Sequence, residues 1–240
     1  MRKFFLTTVL ALSASASLDF SGPVLADFDV SPAVVSGKIV TNAFEDAAST
    51  TINNVRVFGY EFGEDPLDPF FAEDPGFHPL PGAGVPGRTT ISAKSFSAIS
   101  YWSGSSFGAL PAGESLDITR GSTTITLSAS GFAGTIPIDT TDVNGEFDQH
   151  LESTLKGVGL IDPSVGIYLF NLTLSAPGLA DSDPMYVLFN NGADGAEFDS
   201  AVAFARDQFA PGSTIVPEPV ALAGVGLFAL LMGRSRRFNR

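Results

Sequence analysis

Short runs rich in Val, Ile, Thr, Phe and Tyr recur along most of the chain, and clusters of Gly, Pro, Asn, Asp and Ser separate them. Such runs are typical of β-strands, because branched and aromatic side chains pack well on a pleated surface. Many short strands with few helices predict an all-β fold, and we expect an antiparallel β-sandwich. The predicted strands are 34–44, 53–62, 89–102, 114–120, 123–132, 135–143, 146–157, 166–176 and 184–190.

Two turn sequences predict which strands are neighbours. Arg120-Gly121 predicts a hairpin between strands 114–120 and 123–132. Asn144-Gly145 predicts a second hairpin, between 135–143 and 146–157, because both residues of such a tight turn need positive φ.

A long segment, 63–88, is rich in Pro and Gly and shows no strand or helix period. A loop of this length in a compact domain is unusual and often functional. Its phenylalanines predict that it packs against the domain.

Residues 194–209 predict the one helix of the domain. Their apolar side chains recur at helical spacing, which indicates a C-terminal amphipathic helix packed on an end or face of the sandwich. Asp194 is the candidate N-cap, and Pro211 ends the helix. The apolar stripe consists of Phe198, Val202, Ala205 and Phe209.

The chain is acidic, with a formal net charge of −13, and it contains no cysteine. The segment 27–216 is more acidic still, because six of the Lys and Arg residues lie in the two termini. A negative field of this kind repels phosphate, so nucleic acid is excluded as a partner. Without disulfides, the domain depends on the packing of its core.

The N-terminus has the features of a secretory signal peptide, residues 1–26. Arg2 and Lys3 precede an apolar stretch, and Val24-Leu25-Ala26 provides suitable residues before a cleavage site. We predict cleavage after Ala26, and cleavage after Ala16 is the alternative. The predicted mature domain is then 27–216.

The C-terminal segment 217–240 has three parts in a fixed order. Pro217-Glu218-Pro219 comes first, and an uncharged apolar run, 220–233, follows. As a helix this run spans about 21 Å, against roughly 30 Å for the hydrocarbon core of a bilayer. It is a weak permanent anchor, and the positive-inside rule predicts that the basic end stays in the cytoplasm. That end carries Arg234, Arg236, Arg237 and Arg240.

This three-part terminus resembles the PEP-CTERM sorting signal of Gram-negative-type bacteria. The resemblance implies a transient inner-membrane anchor and a transient partner, an exosortase, which removes the tail. It implies delivery to the outer surface or extracellular matrix, often together with exopolysaccharide.

The body of the chain is also similar to secreted PEP-CTERM proteins of unknown function, and the matching stretches are 73–77, 145–151, 166–174 and 182–192. Two of these stretches, 145–151 and 166–174, are similar to a repeat of bacterial surface-anchored proteins. In that repeat a His-x-His strand precedes a Gly-Val/Ile-Tyr strand. Here Asp148 stands at the first histidine position, so only His150 matches.

His78 and His150 are the only histidines of the chain. Asp148 and His150 lie on one face of a predicted strand, because side chains repeat every two residues. A carboxylate and an imidazole on one face can bind a divalent metal ion, with His78 from segment 63–88 as a third ligand. The alternative interpretation is a solvated strand face and a loop histidine that only packs. We expect no other cofactor.

Other motifs give weaker indications. Ser106 lies in a Gly-x-Ser-x-Gly sequence, but no strand–turn–helix is predicted around it, so we assign no catalytic residue. Trp102 with Tyr101 either forms a sugar-stacking surface or belongs to the core, and the core interpretation is favoured.

We therefore expect a non-enzymatic, exported structural or adhesive protein. The alternative is a secreted metal- or carbohydrate-binding module.

Overall fold

The computed structural model describes residues 28–46, 49–63 and 66–214. The predicted signal peptide with its cleavage site at Ala26, and the predicted sorting segment 217–240, lie outside these residues and stay predictions. The described residues are mostly β-strand with a single helix, α1, so the all-β prediction is confirmed. The elements are β1 (Asp29–Val35), β2 (Lys38–Glu45), β3 (Thr50–Ile52), β4 (Val57–Glu61), β5 (Phe71–Ala72), β6 (Gly76–Phe77), β7 (Thr90–Phe96), β8 (Ser100–Trp102), β9 (Phe107–Ala109), β10 (Ser115–Arg120), β11 (Thr123–Leu127), β12 (Phe132–Thr140), β13 (Gln149–His150), β14 (Glu152–Lys156), β15 (Gly166–Ser175), β16 (Met185–Asn191) and α1 (Gly195–Phe209).

The strands form three sheets. The first has the order β13-β6-β1-β2-β3, and the second has the order β11-β10-β14-β5. The third has the order β12-β7-β15-β16-β4, with β8 paired to β15 and β9 paired to β8.

Most pairings in these sheets are antiparallel, but those of β1 with β6 and of β4 with β16 are parallel. The prediction of antiparallel sheets is therefore confirmed for most strand pairs and wrong for these two. In both cases a long stretch of chain separates the partners, so the chain can re-enter the sheet in the same direction.

The predicted strand 34–44 is in fact the end of β1, a two-residue turn and β2. Ser36 and Gly37 have φ of 51° and 78°, the positive values that a tight hairpin turn needs. Pairing then runs back to Asp29, opposite Phe44. Asp29 thus becomes part of a sheet, although the sequence prediction left it outside any strand.

Of the two predicted hairpins, only the one at Arg120-Gly121 forms. Strands β10 and β11 pair closely up to this turn, where Arg120 lies opposite Thr123. The Asn144-Gly145 hairpin is wrong, because β12 pairs with β7, whereas β13 pairs with β6 and β14 with β10.

The Asn144-Gly145 segment instead forms a local turn closed by a side chain. The Asp142 carboxylate accepts the backbone N–H groups of Asn144, at 2.7 Å, and of Glu146, at 3.0 Å. A side chain on Gly145 would overlap the carbonyl oxygen of Val85, so the turn packs against segment 63–88. Gly145 is therefore needed because two loops approach each other closely here, and not because a hairpin turn requires it.

Segment 63–88 packs against the domain, as expected, through two short strands that the sequence did not predict. Strand β5 pairs with β14, and β6 lies between β1 and β13. Phe77 of β6 is fully buried. The segment therefore brings its residues, His78 among them, to fixed positions beside β1 and β13.

Apolar side chains form two clusters on opposite faces of β15 and β16. The larger core collects residues from all three sheets, including Tyr168 and Phe170 of β15. Ile167 and Leu169, which alternate with them, face the smaller cluster beneath α1. Strands β15 and β16 are thus covered on both faces.

Helix α1 begins as predicted, because the Asp194 carboxylate accepts the backbone N–H of Glu197 at 2.8 Å. Phe198, Ala201 and Ala205 are its buried residues. Within residues 28–46, 49–63 and 66–214, we find no helix with the length and apolar character of a membrane span.

Candidate metal centre

Three neighbouring strands bring distant parts of the chain to one site. In the first sheet, β6 lies between β13 and β1. His150 of β13 lies opposite Gly76 of β6. His78 directly follows β6, and its backbone N–H donates to the carbonyl of Val30 in β1 at 2.9 Å. Pairing in this sheet therefore sets the backbone positions of both histidines relative to Asp29, the first residue of β1.

The side chains meet around the Asp29 carboxylate. Its Oδ2 lies 3.9 Å from Nδ1 of His78, and its Oδ1 lies 3.9 Å from Nε2 of His150. Asp148 joins them, since its Oδ1 lies 3.6 Å from the same Nε2 of His150. One ligand atom each from Asp29, His78 and Asp148 lies within 4.8 Å of the other two. The structure thus brings together the three predicted residues and adds Asp29 as the residue they share.

The His150 ring is held in one orientation. Its Nδ1 lies 2.6 Å from the carbonyl oxygen of Glu73. A carbonyl oxygen only accepts, so Nδ1 must carry the hydrogen, and in the neutral ring Nε2 then has a free lone pair. That lone pair is on the nitrogen nearest Asp29 and Asp148. Histidines that bind metals are commonly oriented by a backbone carbonyl in this way.

Gly76 makes room for this convergence. A Cβ at position 76 would overlap Oδ1 of Asp29 and would lie 2.7 Å from Cε1 of His150. The glycine is required here for space, so that the carboxylate and the imidazole can meet across β6.

The cluster has an inner and an outer half. The side chains of Asp29 and His78 are 18% and 22% exposed, and the His78 ring packs edge-on against Phe44. His150 and Asp148 are more exposed, at 42% and 65%. A cation at this site is therefore reached from solvent on the side of His150 and Asp148.

Negative charge dominates the site. Burial by itself lowers the pKa of His150, but its hydrogen bond to the Glu73 carbonyl and the nearby Asp29, Asp74 and Asp148 carboxylates raise the pKa above the ordinary value. The surroundings therefore stabilise positive charge at the His150 ring.

An open pocket of about 270 Å³ lies beside His150. Arg120, the one Arg or Lys among its described lining residues, already donates through Nε to the Ile138 carbonyl at 2.8 Å and bonds to Gln149. The pocket gives solvent access to the outer half of the cluster. Its lining residues are Glu73, Arg120, Asp148, Gln149, His150 and Glu152.

The other sequence candidates lie elsewhere. Trp102 is 5% exposed and packs against Phe107 and Phe204, so the core interpretation is confirmed. The hydroxyl of Tyr101 donates to the Val165 carbonyl at 2.6 Å. Ser106 lies in the turn between β8 and β9, a strand–turn–strand, which lacks the helix of a nucleophile elbow.

Asp29 was not predicted from the sequence. The apolar residues Phe28 and Val30 flank it, and this alternation is a strand signal. Pro32 obscured the signal, because proline is depleted in strands.

No protein-family model matches the chain, and no curated protein or solved structure matches it either. The interpretation of the cluster therefore rests on its geometry.

Proposed function

We propose that this chain is an exported, non-enzymatic protein that is delivered to the outer cell surface or extracellular matrix as a structural or adhesive component associated with exopolysaccharide. The observation that carries the proposal is the pairing of a signal-peptide sequence, 1–26, with the three-part segment 217–240. An exosortase would bind that segment transiently and remove it.

The described domain lies between the two predicted signals. Phe28 is 3% exposed, and near the other end the backbone N–H of Thr214 donates to the Asn54 carbonyl at 2.8 Å. Residues close to both predicted cleavage sites thus belong to the described domain. We propose that the three sheets are arranged as a β-sandwich, and the larger core, with residues from all three, supports this arrangement.

An apolar loop supports a role in contacts with other molecules. In the loop between β14 and β15, Leu160 is fully exposed, and Ile161 and Val165 are 72% and 67% exposed. Neighbouring exposed apolar side chains of this kind are typical of interaction surfaces.

Processing is the direct test of the proposal. Cells of a bacterium that contains an exosortase are fractionated, and the intact mass of the surface form is measured. We expect a mass that lacks both 1–26 and the apolar tail, and a strain without the exosortase should retain the tail on a membrane-bound form. A surface form that still carries 220–240 contradicts the proposal.

A further inference from the structure

We propose that Asp29, His78, Asp148 and His150 bind one divalent transition-metal ion of the zinc class, and that this ion joins β1, β6 and β13. The proposal rests on the geometry of the described residues and is independent of the proposed export.

Ligand atoms of Asp29, His78 and Asp148 lie within 4.8 Å of one another, and Nε2 of His150 lies within 3.9 Å of an oxygen of each carboxylate. The nitrogen–oxygen distances of 3.6 and 3.9 Å are beyond hydrogen-bond range. Ligands 2.0–2.1 Å from a tetrahedral zinc ion are about 3.3 Å apart. The nitrogen–oxygen distances would shorten by about 0.3–0.6 Å, and separations of up to 4.8 Å among Asp29, His78 and Asp148 by up to about 1.5 Å, when the ligands close on an ion.

The ligand types select the metal. Two imidazole nitrogens and two carboxylate oxygens suit zinc and its neighbours cobalt, nickel and copper, whereas calcium and magnesium prefer oxygen ligands alone. The two carboxylates, Asp29 and Asp148, balance the double positive charge of the ion. The hydrogen bond of His150 to Glu73 leaves Nε2 able to coordinate without a rotation of the ring.

The ion would reinforce a weakly paired part of the first sheet. Strand β6 pairs with β1 only at Phe77, opposite Val30. It pairs with β13 only at Gly76 and Phe77. A metal bound by Asp29, His78 and His150 would cross-link the same three segments through their side chains. Metal binding is then expected to stabilise the folded domain, because the unfolded chain does not hold these ligands together.

The test uses the full-length chain, purified without a histidine tag and freed of metal by chelation. Added Co²⁺ is expected to give visible absorption bands of a four-coordinate site at one ion per chain, and Zn²⁺ is expected to displace it. The variants Asp29→Asn, His78→Gln and His150→Gln should each weaken Zn²⁺ binding by at least about tenfold. Asp162→Asn, which removes one exposed carboxylate in the loop before β15, is the matched control and should bind as the wild type does.

A second measurement on the wild type covers the case in which a variant fails to fold. The chain has only two histidines, so its imidazole C–H signals in an NMR spectrum are few and assignable. The imidazole signals of both histidines are expected to shift on addition of one equivalent of Zn²⁺. Unchanged signals, equal binding by folded His→Gln variants, or Ca²⁺ binding as tight as Zn²⁺ binding would each overturn the proposal.

Discussion

Nε2 of His150 lies 3.9 Å from Oδ1 of Asp29, although their strands do not pair with each other. Strand β6 lies between β13 and β1, and at Gly76 it carries no side chain to separate them. The two side chains therefore meet across a strand. The absence of one Cβ is what allows carboxylate and imidazole to form a single cluster.

Gly76→Ala is expected to disrupt this cluster. The added methyl group would overlap the Asp29 carboxylate, so we expect a loss of about 1–3 kcal/mol in the free energy of unfolding, together with weaker Zn²⁺ binding. Chemical denaturation and metal titration measure the two effects. Gly108→Ala is the control, because a Cβ there meets only open space, and it should change stability by less than about 0.5 kcal/mol. Equal behaviour of the two variants would refute the steric role of Gly76.

Asp142 is expected to make the stability of the domain depend on pH. The backbone N–H groups of Glu146 and Asn144 donate to its carboxylate and hold its pKa below the ordinary value of 3.8. Because the folded state has the lower pKa, the ionised carboxylate stabilises the fold above the ordinary pKa that the unfolded chain retains, and this contribution is lost as the pH falls through the folded pKa. Asp142→Asn should therefore be less stable than the wild type at pH 7, with a difference that narrows towards pH 3.

Urea denaturation midpoints at several pH values measure this difference. Asp162→Asn removes the same unit of charge from an exposed loop residue and serves as the control. A constant difference between Asp142→Asn and the wild type from pH 7 to pH 3 would show that the carboxylate charge does not stabilise the turn.

Trp102 is expected to report on the smaller apolar cluster and not on sugars. As the only tryptophan, and 5% exposed, it should emit at short wavelength, resist quenching by acrylamide and give the same emission when oligosaccharides are added. Trp102→Ala should lower the free energy of unfolding by about 3–5 kcal/mol. Within the described residues the indole N–H has no hydrogen-bond partner, so Trp102→Phe should cost much less. Emission that shifts with a bound oligosaccharide would contradict the core assignment.

The terminal arginines are expected to be needed for sorting. Replacement of Arg234, Arg236, Arg237 and Arg240 by Ser should leave the chain uncut in the periplasm or medium, because in the proposed export pathway basic residues at the cytoplasmic face hold the short apolar run in place. Fractionation and intact mass measure processing. Replacement of the same four residues by Lys retains the charge and should be processed normally. Efficient cutting and surface display of the four-Ser variant would contradict this explanation of the tail.

Alternating side chains predict where strands lie but not which strands pair. The pattern located β15 and β16, because their alternate residues are buried on two faces. The parallel pairing of β16 with β4 joins residues far apart in the chain, and no local pattern contains that information. The hairpin predicted at Asn144-Gly145 is wrong for the same reason. A turn forms there, but it packs against Val85, and the strand that follows, β13, pairs with β6.

The candidate site was predictable in part. The two histidines and Asp148 were selected by residue type and by the two-residue spacing along the predicted strand 146–157, although Asp148 in fact lies just before β13. Asp29 was not, because its role depends on β1 lying beside β6, a contact between the beginning of the described chain and segment 63–88. The need for a glycine at position 76 likewise follows only from the side chains on the strands at either side.

Helix α1 also constrains the order in which the fold can be completed. Ile167, Leu169 and Leu188 are covered on their outer side by this helix, which is the last described element of the chain. During synthesis from the N-terminus, this face of β15 and β16 therefore remains an exposed apolar surface until residues 195–209 have been made. Any chain that stops short of them presents this surface to its neighbours, and aggregation, not a smaller stable domain, is the expected fate of such a fragment.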